Sequence, residues 1–162
     1  MTEQDTNAAA QQGQGGQFAL QSVYVKDASY EAPNTPAIFR EEWTPKMDFD
    51  VDVSAAQLDA SHFEVVLHLT VTVSVGDKTA FLVEVKQAGI FLISGIPAEQ
   101  MHGVLHAHCP NVLYPFAREA VASLVSKGGF PQLLLAPFNF EAMYIDRLRQ
   151  QQEAAREAAP AQ

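Results

Sequence analysis

The chain predicts an α+β fold, a four-stranded antiparallel sheet with helices packed on one face. Two-residue apolar alternation runs through the first half, Gly76-Asp77 gives a hairpin signal, and helical periodicity takes over after Pro97. The 162 residues are 48% apolar and 18% charged, which suits one globular domain with its own core.

The elements follow in order. Residues 1–17 hold five Gln and three Gly but no Val, Ile, Leu or Phe, and such a segment is expected to be disordered. A first strand spans 18–31, rich in Val23, Tyr24, Val25 and Tyr30, and stops at Pro33. Residues 32–45, with three prolines and the apolar Ile38, Phe39 and Trp43, read as a crossover loop. Met47, Phe49, Val51 and Val53 alternate with Asp48, Asp50 and Asp52, a second strand with one apolar face. The third, 63–75, puts Phe63, Val65, Leu67, Leu69, Val71, Val73 and Val75 on one side.

A fourth strand covers about 79–93, and parity sets its register. A two-residue loop would bury Glu84 opposite Leu69. An odd loop taking in Lys78 instead pairs Val75 with Thr79, Val73 with Phe81, Val71 with Val83 and Leu69 with Val85. Leu82, Glu84 and Lys86 then face solvent beside Thr72, Thr70 and His68.

The second half is helical. Pro97-Ala98-Glu99 opens a short stretch ending near Gly103. A longer helix runs from Pro110 to Lys127, with Leu113, Phe116, Ala117, Ala120, Val121 and Leu124 at helical spacing and Gly128-Gly129 as its stop. Pro115 inside it predicts a kink or restart. Asn139 is placed to cap a last helix bearing Phe140, Met143, Tyr144 and Leu148 on one side, with Glu141 in its first turn. From Gln150 to Gln162 the chain reads as a frayed helix end and loose tail, leaving 18–149 as the single domain.

Charge and cysteine content narrow the function. The net charge is −9, and residues 1–60 hold ten acids and three bases against nine and seven in the remainder. An acidic surface repels nucleic acid and suits a basic protein partner. Cys109 is the only cysteine, which excludes an internal disulfide and points to a reducing compartment. Met1–Asp5 has two acids and no base, no apolar run follows, and no stretch approaches a membrane span. A cytoplasmic protein without direct membrane insertion is expected.

No catalytic motif stands out. Gly76-Asp77-Lys78-Thr79 lacks the upstream glycine of a phosphate loop and precedes a strand, so it reads as a turn. His102, His106, His108 and Cys109 form the one metal-like cluster, and His102 and His106 share a helix face. Gly103 interrupts them and no carboxylate base accompanies them, so surface or interface histidines are the better reading. Cys109 lacks an orienting pair for nucleophilic work. The aromatic residues near Phe39 and Trp43, with Phe130, Phe138 and Phe140, either cap the core or wall an apolar groove.

Longer stretches carry a resemblance. Cys109-Pro110-Asn111-Val112-Leu113-Tyr114-Pro115-Phe116-Ala117-Arg118-Glu119 is followed by Phe130-Pro131-Gln132-Leu133 and by Leu135-Ala136-Pro137-Phe138-Asn139-Phe140-Glu141. Together with Tyr24-x-Lys26-Asp27, Glu31-Ala32-Pro33-Asn34 and Ala80-Phe81-Leu82-Val83-Glu84-Val85, these resemble the SecB family of bacterial export chaperones, from about Phe18 to Leu148.

The resemblance implies a non-enzymatic, ATP-independent holdase without a cofactor. It would keep unfolded preproteins translocation-competent and pass them to the motor ATPase SecA. It also implies a homotetramer, a dimer of dimers. Asp27, Glu31, Leu82 and Glu84 match the SecA-docking positions, and Val83, Val85 and Gln87 match positions at the oligomer interface. The client groove would be lined by Ile38, Phe39, Trp43, Phe49, Phe138, Phe140, Met143 and Tyr144. The near-neutral tail, Arg156 against Glu153 and Glu157, departs from the family's tail contact with SecA. The histidines at 106 and 108 lie outside the motif. Two other readings stay open: a module holding one small apolar ligand, and a zinc hydrolase at His102, His106 and Cys109.

Overall fold

A computed structural model describes residues 15–160. The expected disorder of residues 1–14 and the last two residues of the tail lie outside the described residues. Four antiparallel strands are ordered β1-β4-β3-β2: β1 (Gln17–Glu31), β2 (Pro45–Gln57), β3 (His62–Val75) and β4 (Lys78–Ser94). Gln17 already pairs with Ser94, so order begins slightly before the expected boundary. Helices α1 (Ala98–Gly103), α2 (Cys109–Lys127) and α3 (Phe140–Ala158) follow, and a π-helical stretch, Val104–His108, joins α1 to α2.

Alternation decides what is buried. In β3 every odd residue from Phe63 to Val75 is buried and every even one is half-buried. The hairpin differs from expectation in one detail. Gly76, with φ 61°, closes a two-residue turn, so Val75 meets Lys78 and Ser74 meets Thr79. A register shift at Ala80 then restores Val73 to Phe81, Val71 to Val83 and Leu69 to Val85. The bulge absorbs the odd residue that was assigned to the loop.

Helix α2 covers β4 and β3 with a stripe of Leu113, Ala117, Val121 and Val125, all fully buried. Gly89 makes the close approach possible, because a Cβ there would lie 2.9 Å from a Leu113 methyl. Phe116 departs from the expected core face: it is exposed beside Val23 and Val25 of β1. Pro115 breaks nothing, and α2 passes through it as one helix. Its missing donor leaves the carbonyl of Asn111, an exposed residue that water can reach. The irregular backbone falls upstream, at the π stretch.

Helix α3 starts as expected, with the Asn139 side chain accepting from Ala142 N at 2.9 Å. It stays helical past Gln150 to Ala158, where Gln, Glu, Ala and Arg are strong helix formers. Arg147 holds it against the free edge of β2, donating through Nη2 to the Val51 carbonyl at 2.7 Å and through Nη1 to Asp52 at 3.2 Å.

Tyr30 stacks on Phe81, but its hydroxyl is buried without a partner among the described residues and presses on Gly128. Tyr30→Phe is expected to leave stability unchanged or raise it by up to about 1 kcal/mol, since an unmade hydrogen bond is removed. A Cβ at Gly128 would collide with that hydroxyl, so Gly128→Ala is expected to cost about 1–3 kcal/mol in urea denaturation.

Candidate functional site

The sheet has two unlike faces. The helix-free face carries three cross-strand rows: Glu31–Leu82–Thr72–Asp48, Ser29–Glu84–Thr70–Asp50 and Asp27–Lys86–His68–Asp52. Six of these twelve positions are carboxylates and one is a lysine. The expected outward placement of Leu82, Glu84 and Lys86 holds.

For β1 a bulge decides the outcome. Tyr24 opposes Ala88 on the open face, so strict alternation would turn Asp27 and Glu31 toward the helices. The register shift at Lys26 reverses the parity and puts both on the open face. Gln87 supports that shift, its Nε2 donating to the Tyr24 carbonyl at 3.0 Å.

Ion pairs divide the face into two zones. At one end Glu64 accepts from Lys26 at 2.7 Å and from the Tyr24 hydroxyl. Lys26 first, then Tyr24, hold the Glu64 carboxyl below its usual range. The Glu64 hydrogen bond, burial and the adjacent negative charge push Tyr24 up to about 12. At the other end Asp27, Glu31, Asp48 and Asp50 have no ion-pair partner among the described residues, and Glu84 has only His68, at 3.5 Å. That zone keeps its negative charge for an incoming cation.

The apolar residues lie on the opposite side, where α2 does not reach β2. A 3₁₀ turn, Ala37–Arg40, anchors the crossover through Ile38, and the Asn34 side chain donates to the Thr79 carbonyl at 2.9 Å. Phe39 and Trp43 remain 49% and 38% exposed and rest on Phe130, with ring centroids at 4.9 and 5.7 Å. Along β2, Met47 is 46% exposed and Phe49 meets Phe138 edge-on at 5.9 Å. Phe138 then contacts Phe140 at 4.8 Å. Beyond them opens a cavity of about 760 Å³ between α1, the π stretch and α3, lined by Val104, Ala107, Pro137, Phe138, Phe140 and Tyr144.

Several expected site residues sit elsewhere. Ile38 and Phe140, 3% and 2% exposed, support the apolar surface from beneath. Met143 faces a second, smaller cavity with Val53 and Leu148. Val83, Val85 and Gln87 are buried on the side of the sheet that α2 covers. The parity that exposes Leu82 and Glu84 turns these three inward, so any effect they have on an interface would pass through α2 and β1. Cys109 is buried and burial pushes its thiol up to about 12, which leaves no nucleophile. Met47 and the wall from Val104 to Ala107 were missed. The alternation of β2 contained Met47, but nothing local said that no helix covers it.

Comparison with known proteins now identifies the family. The profile of Preprotein translocase subunit SecB matches residues 10–151. This chain belongs to the SecB family. It is 51% identical over 163 residues to the protein-export protein SecB of Stutzerimonas stutzeri, covering 99% of each chain. It is 53% identical over 155 residues to that of Pseudomonas savastanoi pv. phaseolicola, covering 95% of this chain and 96% of the relative. Among solved structures it resembles the SecB-like chaperone Rv1957 of Mycobacterium tuberculosis, solved in complex with a ChAD peptide from an antitoxin. The TM-score is 0.59 at 17% identity, over 75% of this chain and 91% of that one, a likeness of fold. The SecB family is one of protein-export chaperones. No helix among the described residues is long and apolar enough to cross a membrane.

Proposed function

We propose that the protein is a cytoplasmic, ATP-independent holdase that binds unfolded preproteins on its apolar side and hands them to SecA through its acidic face. The observation that carries this reading is the separation of the two surfaces. Phe39, Trp43 and Met47 form an exposed apolar run beside the half-buried Phe49, while Asp27, Glu31, Leu82 and Glu84 share the opposite, helix-free face. Apolar burial yields about 25 cal/mol per Å², and ordering an extended chain offsets much of it. One segment in one groove therefore binds weakly, and several grooves acting on one client raise avidity without requiring a sequence. No catalytic step and no nucleotide is assigned to the chain itself.

A homotetramer supplies those grooves in this reading. Val23 and Val25 on the free edge of β1 and Phe116 of α2 are exposed, and they rim one depression with Pro115 and Ala120. Such an apolar patch beside an unpaired strand edge suits a second copy.

Calorimetric titration without nucleotide tests the main reading. A preprotein kept unfolded by mutation is expected to bind and its folded counterpart is not. Equal binding of both, or none, would move the assignment to a small apolar ligand in the 760 Å³ cavity. Glu84→Lys is expected to abolish SecA binding and leave client affinity within about twofold; loss of client binding with SecA affinity intact would reverse the two faces. For assembly, Phe116→Glu is expected to lower the solution mass by light scattering, and an unchanged mass would take this patch out of the interface.

A further inference from the structure

Consecutive residues of β4 clamp the 3₁₀ turn Ala37–Arg40 from both sides. Before the turn, the Asn34 side chain donates to the Thr79 carbonyl at 2.9 Å. After it, the Glu41 carboxylate accepts from the Lys78 ammonium. Lys78 stands at the root of the tight β3–β4 turn, opposite Val75, so this end of the clamp is set by the sheet. The backbone hydrogen bonds of residues 32–44 stay inside the crossover, among them Glu41 N to the Ile38 carbonyl and Thr44 N to the Glu42 carbonyl. Trp43 lies in the short arch between Glu41 and Pro45, the first residue of β2. Between those ends, the Trp43 ring on Phe130 is the arch's aromatic contact with the body, centroids 5.7 Å apart.

We infer that Lys78 and Glu41 are a positioning pair for the client groove. Their ion pair holds the arch so that Trp43 lies on Phe130, ordered as a wall before any chain arrives. This rests on the reading of Phe39, Trp43 and Met47 as client surface. An indole offers a large apolar face, and a wall that is already ordered spares the bound state the entropy of ordering it. Without the pair, residues 41–44 regain backbone freedom that binding must then remove.

Two features single out this pair. Arg40 and Glu42 flank Glu41 and have no ion-pair partner among the described residues, so Glu41 alone ties the charged end of the crossover to the sheet. The pair also joins residues 37 apart in sequence, across the mouth between the crossover and the hairpin, instead of stapling one element to itself. Its size follows from its exposure. The Lys78 and Glu41 side chains are 49% and 35% exposed, so the pair biases where Trp43 sits, by up to about fivefold, and leaves the fold intact. Being exposed, it is also screened by salt.

Trp43 is the only tryptophan, so its fluorescence reads the arch directly in the full chain. Glu41→Lys and Lys78→Glu each set like charges side by side. At low salt, each is expected to shift Trp43 emission to the red and raise its quenching by acrylamide. Each should also weaken binding of one preprotein, kept unfolded by mutation, about two- to fivefold. The double variant, Glu41→Lys with Lys78→Glu, rebuilds the pair reversed and is expected to restore both readouts. In the unsubstituted chain, raising NaCl from about 20 to about 500 mM should move Trp43 the same way, a readout independent of variant folding. Trp43 unmoved in both single reversals, or not restored in the double, would overturn the pair's role. Trp43 displaced with client affinity unchanged would overturn its link to the groove. If the unsubstituted chain binds no unfolded preprotein, the holdase reading fails, and the fluorescence still decides whether the pair holds Trp43.

Discussion

Everything functional in this fold depends on which way each strand residue points. The period of the pleat is two, so a single-residue slip would exchange the two faces of the sheet. Between β3 and β4 the tight turn at Gly76-Asp77 would by itself impose the wrong parity. Ala80 corrects it before Phe81, which lets Phe81, Val83 and Val85 meet the core while Leu82 and Glu84 face outward. Lys26 performs the same correction in β1, and the Gln87 amide fixes it from the neighbouring strand. Two bulges therefore bring Asp27, Glu31, Leu82 and Glu84 onto one surface, although they come from strands more than fifty residues apart.

The second constraint is coverage. One long helix, α2, lies on the two central strands, and α3 is held at the margin of β2 by Arg147. What remains uncovered is the beginning of β2, where Met47 and Phe49 point to the helix side of the sheet without a helix above them. The crossover loop supplies Phe39 and Trp43 beside them, resting on Phe130. The apolar surface is thus the part of a core face that the chain has no helix left to cover.

Local patterns made the strands legible, because alternation is written into consecutive residues. The placement of Leu82 and Glu84 followed from it. Asp27 and Glu31 were different: their orientation hangs on the bulge at Lys26, whose support comes from Gln87 across the sheet, and nothing near Lys26 in sequence announces it. Phe116 had the right spacing for the core, but helical periodicity does not tell where the covered stripe ends. The inward burial of Val83, Val85 and Gln87 was available from the same parity argument that exposed Leu82. Resemblance had assigned them to an interface, and the geometry leaves them only an indirect route to it. His102, His106 and His108 were read as surface or interface residues, with Gly103 interrupting the pair and no carboxylate base beside it; His102 and His108 are exposed, and the π stretch carries the backbone on from Gly103.

Consecutive residues of β2 serve both surfaces, Phe49 toward the apolar side and Asp50 toward the acidic one. A partner on the acidic face and a chain on the apolar side thus share a strand but no side chain, so one cannot displace the other by steric competition. The ion pair between Asp52 and Arg147 is one link from the acidic face to α3. It is exposed, and such pairs contribute about 0.2–1 kcal/mol. If a partner's cation took Asp52, the bond from Arg147 Nη2 to the Val51 carbonyl would still hold α3 at the edge. Coupling through that route is too weak to expel a client. In a handover of the kind proposed, the energy for release has to come from the partner drawing on the client itself.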